Sequence, residues 1–223
     1  MILSANQPQY LPYLGFWHKL LNSDIHVILD DVKFTRGFFI NRNKIKTSKG
    51  WEWLTIPIKR ANCKISELKT ANCIWRTKHL KSLEANYGSA QYFDNYIEYF
   101  KEFYSKNLEN ISKIDITLIK DMSKMFNIKT KIMMSSDINV AGNSTERLVN
   151  LCMVLKCDTY LSGAGGKNYM DESLFNSFGI KLIYQNFKHP SYNQLFGEFI
   201  PNLSIVDALF NCGKDVINLI KNQ

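Results

Sequence analysis

The sequence predicts an α/β protein with a mostly parallel sheet, flanking helices in a nucleotide-binding-like arrangement and a helical insertion lobe. Short apolar runs of strand length alternate with segments of helical spacing near both ends of the chain. Turn-rich loops follow the first strand and a later one, where parallel sheets bind their ligands. We therefore expect a single domain over 1–223, with a helical lobe at about 66–128.

The elements follow in order along the chain. Ile2–Ala5 is a short apolar strand, Gly15–Leu21 has helical spacing, and Ile25–Leu29 is the next strand, so the chain opens with a β-α-β unit. Trp51–Ile58 alternates and predicts another strand. Beyond the lobe the pattern predicts, in order, a strand at Ile132–Met134, a helix at Ser144–Leu155, a strand at Asp158–Leu161, a helix at Asp171–Phe178, a strand at Ile180–Tyr184 and a helical tail at Leu203–Ile220 interrupted at Gly213.

Composition excludes several classes of protein. No apolar run approaches the roughly 20 residues of a membrane span, and Met1–Ala5 has no signal-peptide pattern, so we expect a cytoplasmic protein. Five cysteines without a CxxC pair argue against a disulfide framework and a zinc knuckle. The net charge of +8 would suit a phosphate-rich partner, but the lysines are scattered, which favours a solvated surface.

The loop after the first strand is the first candidate site. It offers Gln7, Tyr10 and Tyr13 as hydrogen-bond donors, and Gly15 lies at a helix start, where free N–H groups can hold an anion. The loop lacks both histidines of the His-x-Gly-His motif of nucleotidyltransferases, which makes that chemistry doubtful. The alternative is a proline-stiffened turn with packed aromatic rings.

Charged and amide side chains follow the second predicted strand. Asp30 and Asp31 could bind a metal, act as acid and base, or accept a hydrogen bond from a sugar hydroxyl or an amine. Alternation along a strand would turn only one of them into a pocket, and a turn cap is the structural alternative. Arg42 beside Asn43 could grip a phosphate or carboxylate, or form a surface salt bridge.

A glycine-rich loop follows the strand at Asp158–Leu161. Its backbone N–H groups could contact a phosphate, and Lys167 adds positive charge. The loop fails the Walker A spacing, so a tight turn is the alternative. The candidate residues in this loop are Ser162, Gly163, Gly165, Gly166 and Lys167.

His189 is the best candidate base because it lies in a short polar stretch that also contains Glu198. A lone histidine is more often structural than catalytic, and this alternative stays open. No pair of histidines has zinc-site spacing, so no metal is predicted.

The chain resembles the WbqC-like family, which occurs in bacterial O-antigen and other surface-polysaccharide gene clusters. The motifs that carry the resemblance span almost the whole chain in order: Gln7–Gly15, Leu29–Val32, Asn41–Thr47, Trp53–Pro57, Leu161–Lys167, Lys188–Pro190, Gly197–Ser204 and Leu209–Gly213.

The resemblance implies an enzyme that passes an aminoacyl or acyl group, glycine in one suggestion, to a nucleotide-linked amino sugar. His189, Asp30 or Asp31 would take the proton, and Arg42 with the two loops would hold phosphates. The cofactor is unknown, and ATP or an activated aminoacyl donor such as charged tRNA is considered. The rival hypothesis is a non-catalytic sugar-nucleotide-binding or scaffold protein. A nucleic-acid binder ranks third, because the aromatic and basic residues do not alternate as in RNA-binding modules.

Overall fold

The computed structural model describes all residues, 1–223. Its strands are β1 (Ile2–Asn6), β2 (Ile25–Ile28), β3 (Arg42–Thr47), β4 (Gly50–Thr55), β5 (Lys131–Met134), β6 (Thr159–Ser162) and β7 (Lys181–Tyr184). Its helices are α1 (Leu14–Leu21), α2 (Ile74–Tyr87), α3 (Phe93–Ser105), α4 (Ile111–Met125), α5 (Ser135–Ile138), α6 (Ser144–Val154), α7 (Glu172–Ser177), α8 (Ile205–Cys212) and α9 (Val216–Lys221). Short 3₁₀ turns cover Ile65–Glu67, Ala164–Asn168 and Gly213–Asp215.

Five strands form one parallel sheet in the order β5-β2-β1-β6-β7. The chain builds outward from β1 in one direction through β2 and β5, and then in the other through β6 and β7. The strand order therefore reverses between β1 and β6, and ligands of open α/β sheets bind outside the carboxyl ends of the strands at such a point. The predicted α/β class with a parallel sheet and flanking helices is confirmed.

A separate antiparallel hairpin joins β3 to β4 through a turn that ends at Gly50, whose φ of +114° favours glycine. Only β4 falls in a segment that the sequence predicts as a strand. Polar residues predominate in β3, but Asn43, Ile45 and Lys46 are buried there. The sequence of β3 does not show the apolar alternation of a strand, because two of its three buried side chains carry polar groups.

Helices cover both faces of the sheet. The larger core joins α1 and the hairpin to α2, α3, α4, α8 and α9, and Trp17, Phe100 and Phe210 are among its fully buried members. The smaller core packs α6 and α7 on the opposite face, around Tyr160 and Phe175. Residues 74–125 form three helices that share the larger core. That they form a distinct helical lobe stays a prediction. No helix is both long enough and apolar enough to cross a bilayer.

Candidate functional site

Two cavities meet outside the carboxyl ends of β1 and β6, at the point where the strand order reverses. The first chamber has a volume of about 400 Å³ and the second of about 530 Å³. Their shared wall consists of Asn6, Gln9, Lys19, Gly163 and Gly165. We call the two chambers together the crevice. Its size is within the range of small-molecule sites.

Three hydrogen-bond acceptors of the first chamber lack a donor. Asn6 Oδ1, Gln9 Oε1 and His189 Nε2 are buried atoms with no hydrogen-bond partner. Unpartnered buried polar atoms are rare in folded proteins because each loses its hydration without compensation. The first chamber is therefore suited to a ligand that supplies several N–H or O–H groups.

His189 has the contacts of a neutral imidazole. Its Nδ1–H donates to the carbonyl of Pro190 at 2.9 Å, because a carbonyl oxygen can only accept, and Nε2 then keeps its lone pair. Burial against aromatic rings that include Phe187 and Phe199 lowers the pKa of His189, although the bond to Pro190 opposes the shift. A neutral ring with a free Nε2 is the form that a general base requires.

The segment that carries His189 has no helix or strand between Tyr184 and Ser204 and is held by a buried polar network. Gln194 Nε2 donates to Asp207 Oδ2 at 2.7 Å, while its Oε1 accepts from Lys46 Nζ at 3.0 Å. Lys46 also donates to the carbonyl of Glu198.

The same network surrounds the buried carboxyl group of Asp207, which accepts hydrogen bonds from Tyr87, Tyr192 and Gln194. Burial raises the pKa of Asp207, and hydrogen bonds from Tyr192, Tyr87 and Gln194 oppose the rise. Glu198 lines neither chamber, its carbonyl accepts from Lys46, and its side chain is exposed, so substrate binding by Glu198 stays a prediction.

Some residues of the loop after β1 line the crevice, and others are buried behind it. Gln7 lines the second chamber, and Tyr13 and Gly15 line the first. The Tyr13 ring packs over Gly15, where an added Cβ would lie 2.5 Å from it. Tyr10 points away from the crevice and is fully buried. Its hydroxyl is 2.6 Å from the Tyr104 hydroxyl and 2.9 Å from His79 Nδ1.

Asn43 supports the same loop from outside. Its Nδ2 donates to the carbonyls of Tyr10 and Leu11 at 3.1 and 2.7 Å. Leu11 has a φ of +46°, in the left-handed region that leucine rarely adopts, so these bonds stabilise an unfavourable turn. Asn43 is therefore a positioning residue for the wall.

The glycine-rich loop lies mostly in the crevice. Gly163 and Gly165 face empty space where a Cβ would be, so a ligand can reach their backbone. Ser162 and Gly166 line the second chamber, and the Ser162 hydroxyl occupies the space that a side chain at position 166 would need. Lys167 is exposed, lines neither chamber, and lies with Nζ 5.4 Å from the Tyr184 ring centroid.

The two aspartates do not line the crevice. Both lie beyond the end of β2, where strand alternation no longer applies, and contact α5 and α6. Asp30 accepts from the backbone N–H and hydroxyl of Ser136 at 3.1 and 2.8 Å. Asp31 accepts from Ser135 Oγ and from the Arg147 guanidinium, both at 2.5 Å. These are the contacts of structural carboxylates, and the catalytic role that the sequence suggests stays a prediction.

Arg42 also lies away from the crevice, on the hairpin. Its guanidinium carbon is 4.2 Å from the centroid of the Trp53 ring, and it donates to the carbonyl of Gly37 at 3.1 Å. It borders another cavity beside β4. Phosphate binding by Arg42 likewise stays a prediction.

Lys19 is the residue of this site that sequence reasoning missed. It is only 4% exposed, and Nζ donates to the carbonyl of Ala5 at 2.8 Å. Burial lowers the pKa of Lys19 to about 7. The available signal was a lysine inside the apolar run Phe16–Leu21, where a short helix has no clearly solvated face.

A parallel sheet flanked by helices, with a ligand-sized crevice at its switch point, defines an α/β protein with a candidate ligand site. The WbqC-like protein family matches residues 7–219, and the chain belongs to that family. The resemblance that the sequence motifs suggest is therefore confirmed.

One relative is an uncharacterized protein of Mycobacterium tuberculosis, Rv1507c. It is 31% identical over 220 residues, which cover 96% of this chain and 95% of the relative. No solved structure matches the chain.

Proposed function

We propose that this protein is a transferase of surface-polysaccharide (O-antigen) biosynthesis in the cytoplasm. It passes an aminoacyl or acyl group, with glycine as the leading candidate, to the amino group of a nucleotide-linked amino sugar. The observation that carries the proposal is the set of three unpartnered acceptors in the first chamber. An amino sugar offers hydroxyl and amine hydrogens, which are the donors that such a set needs.

The unpartnered acceptors support the following reaction. The amine nitrogen attacks the carbonyl carbon of the donor, an amide bond forms, and the bond to the leaving group breaks. The leaving group is a phosphate or AMP anion from an ATP-activated donor, or the tRNA hydroxyl from an aminoacyl ester. His189 Nε2 takes the proton that the attacking amine loses, while Asn6 and Gln9 accept hydrogen bonds from the sugar. The second chamber, which shares a wall with the first, has room for the activated donor.

The test incubates the protein with UDP- or dTDP-linked amino sugars and either glycine with ATP or glycyl-tRNA. Mass spectrometry then looks for a product heavier by one glycyl group. We expect His189→Asn to lower kcat by about 10²–10⁴-fold with little change in KM, because a general base contributes roughly that much. Lys120→Met, on the exposed face of α4, is the matched control.

The pH dependence of the reaction rate distinguishes a catalytic His189 from a structural one. Because burial lowers the pKa of His189, the wild-type rate should stay high at neutral pH and fall only below the usual histidine range. This acidic limb should disappear in His189→Asn. Absence of product with either donor would rule out the glycyl reaction, and tight sugar-nucleotide binding without turnover would favour the non-catalytic module.

A further inference from the structure

The charge distribution of the crevice is one-sided. Among the residues that line its two chambers there is no aspartate or glutamate. The titratable lining groups are Lys19, His189 and the tyrosines Tyr13, Tyr160 and Tyr169. Lys19 is therefore the cation of the crevice, and it lies on the wall that both chambers share.

Lys19 also lacks a counter-charge from the elements behind it. It forms no ion pair, and its only hydrogen bond is to the carbonyl of Ala5 on β1. The titratable group close to it on β2 is His26, which is fully buried and whose pKa is held well below its usual range by burial and by the Lys19 charge. His18, its neighbour on α1, also has a lowered pKa because of burial. A buried ammonium without a carboxylate loses its proton easily, and a ligand that supplies negative charge favours the charged form again.

We propose that Lys19 is the anion-binding residue of the crevice, and that it takes up a proton when the diphosphate of a nucleotide sugar binds. The choice of a diphosphate rests on the proposed function. The open backbone at Gly163 and Gly165, on the same shared wall, lets an anion approach Lys19 and the glycine-rich loop together. This site differs from Arg42 and Lys167, the cations that the sequence suggests.

The size of the proton uptake follows from linkage. With a pKa of about 7, Lys19 is about one-tenth protonated at pH 8 in the empty crevice. A diphosphate in contact favours the charged form and returns the pKa toward its ordinary value, so the ammonium becomes almost fully protonated. Binding at pH 8 should therefore take up about 0.9 proton per ligand. The affinity should weaken as the pH rises above about 7. Lys19 of the free protein is then mostly neutral and must first take up a proton from a more dilute supply.

The experiment is isothermal titration calorimetry with UDP-glucose at pH 8, in two buffers of different ionisation enthalpy. UDP-glucose is chosen because its diphosphate stays ionised, so any uptake belongs to the protein. We expect about 0.9 proton for wild type, and at least about 10-fold weaker binding with no uptake for Lys19→Met, since one charge-assisted contact contributes about that much. Lys19→Arg should bind without uptake, because arginine is already charged. Lys120→Met should match wild type.

Uridine, which lacks the diphosphate, should cause no uptake. Equal uptake with uridine, uptake that persists in Lys19→Arg, or failure of UDP-glucose to bind wild type would overturn the proposal. Thermal melting checks that each variant is folded. If Lys19→Met does not fold, the Lys19→Arg variant still tests the proposal. A failed glycyl-transfer assay with normal proton uptake would refute the proposed reaction alone, and the reverse result would refute the anion site alone.

Discussion

The ion pair between Asp31 and Arg147 joins the end of β2 to α6 and can be removed one partner at a time. The side chains are 23% and 13% exposed, and Asp31 also accepts from Ser135. Both groups are thus mostly withdrawn from water, so the loss of one partner leaves the other poorly solvated. Asp31→Asn and Arg147→Met are the two perturbations.

The expected magnitude lies between two limits. Breaking a fully buried pair costs about 3–5 kcal/mol, whereas exposed pairs contribute about 0.2–1 kcal/mol. For this partly buried pair we expect each single variant to lose about 2 kcal/mol of unfolding free energy, or about 4–8 °C in Tm for a domain of this size. The double variant should lose less than the sum, with a coupling of about 1–2 kcal/mol.

The pH dependence has a defined sign. Burial raises the pKa of Asp31, but the bonds from Ser135 and Arg147 outweigh it, so the folded-state pKa lies below the ordinary value of 3.8. A lowered carboxyl pKa stabilises the folded protein above the unfolded-state pKa, and that contribution disappears as the pH falls through the folded-state pKa. The difference between wild type and Asp31→Asn should thus be constant from pH 8 to about 5 and shrink below about 4.

Urea unfolding followed by circular dichroism measures these free energies, and Asp137→Asn, an exposed acid on α5, is the matched control. The reasoning is refuted if Asp31→Asn unfolds like wild type but abolishes product formation. That outcome would support the catalytic role that the sequence suggests for Asp31.

Three further predictions concern other buried or constrained groups. Burial raises the pKa of Asp115 well above its usual value, and neither carboxylate oxygen has a partner, so wild-type stability should fall as the pH rises above about 4. The slope, up to about 1.4 kcal/mol per pH unit in urea titrations, should be absent in Asp115→Asn. Gly213→Ala should lower the unfolding free energy by about 1–3 kcal/mol, because φ is +60° and a Cβ would lie 2.8 Å from the Tyr92 ring; an unchanged Tm would contradict this. A thiol reagent should label the exposed Cys73 rapidly and leave Cys152 unmodified while the protein is folded, since burial raises the pKa of Cys152 to about 12; equal labelling rates would disprove that burial.

Much of the fold could be predicted because local signals are strong. Apolar runs bounded by turns predict the strands of the sheet, and Gly213 marks the break between α8 and α9. Strand β3 could not be found in this way, since Asn43 and Lys46 face inward and are satisfied by distant partners. Polar inward residues remove the alternation on which strand prediction depends.

The candidate site could be predicted only in part. The glycine-rich loop and His189 follow strands or lie in polar turns, which are visible in the sequence. The apolar run around Lys19 indicates a buried lysine, but its place in the crevice depends on the pairing of β1 with β6, more than 150 residues apart in the chain. Asp30 is the opposite case, a residue that the sequence suggests for the site and that lies outside the crevice. Its partner Ser136 follows β5, and only the tertiary structure brings the two residues together.

The anchoring of the segment between Tyr184 and Ser204 has a consequence for its motions and its evolution. Because Gln194 and Lys46 fasten it to buried groups, its anchored backbone amides should exchange with solvent nearly as slowly as those of a strand. Phe187 and His189, which line the first chamber, precede these anchors in the segment. Substitution at a lining position such as Phe187 can therefore change the shape of the chamber while the anchors, the sheet and Lys19 stay the same.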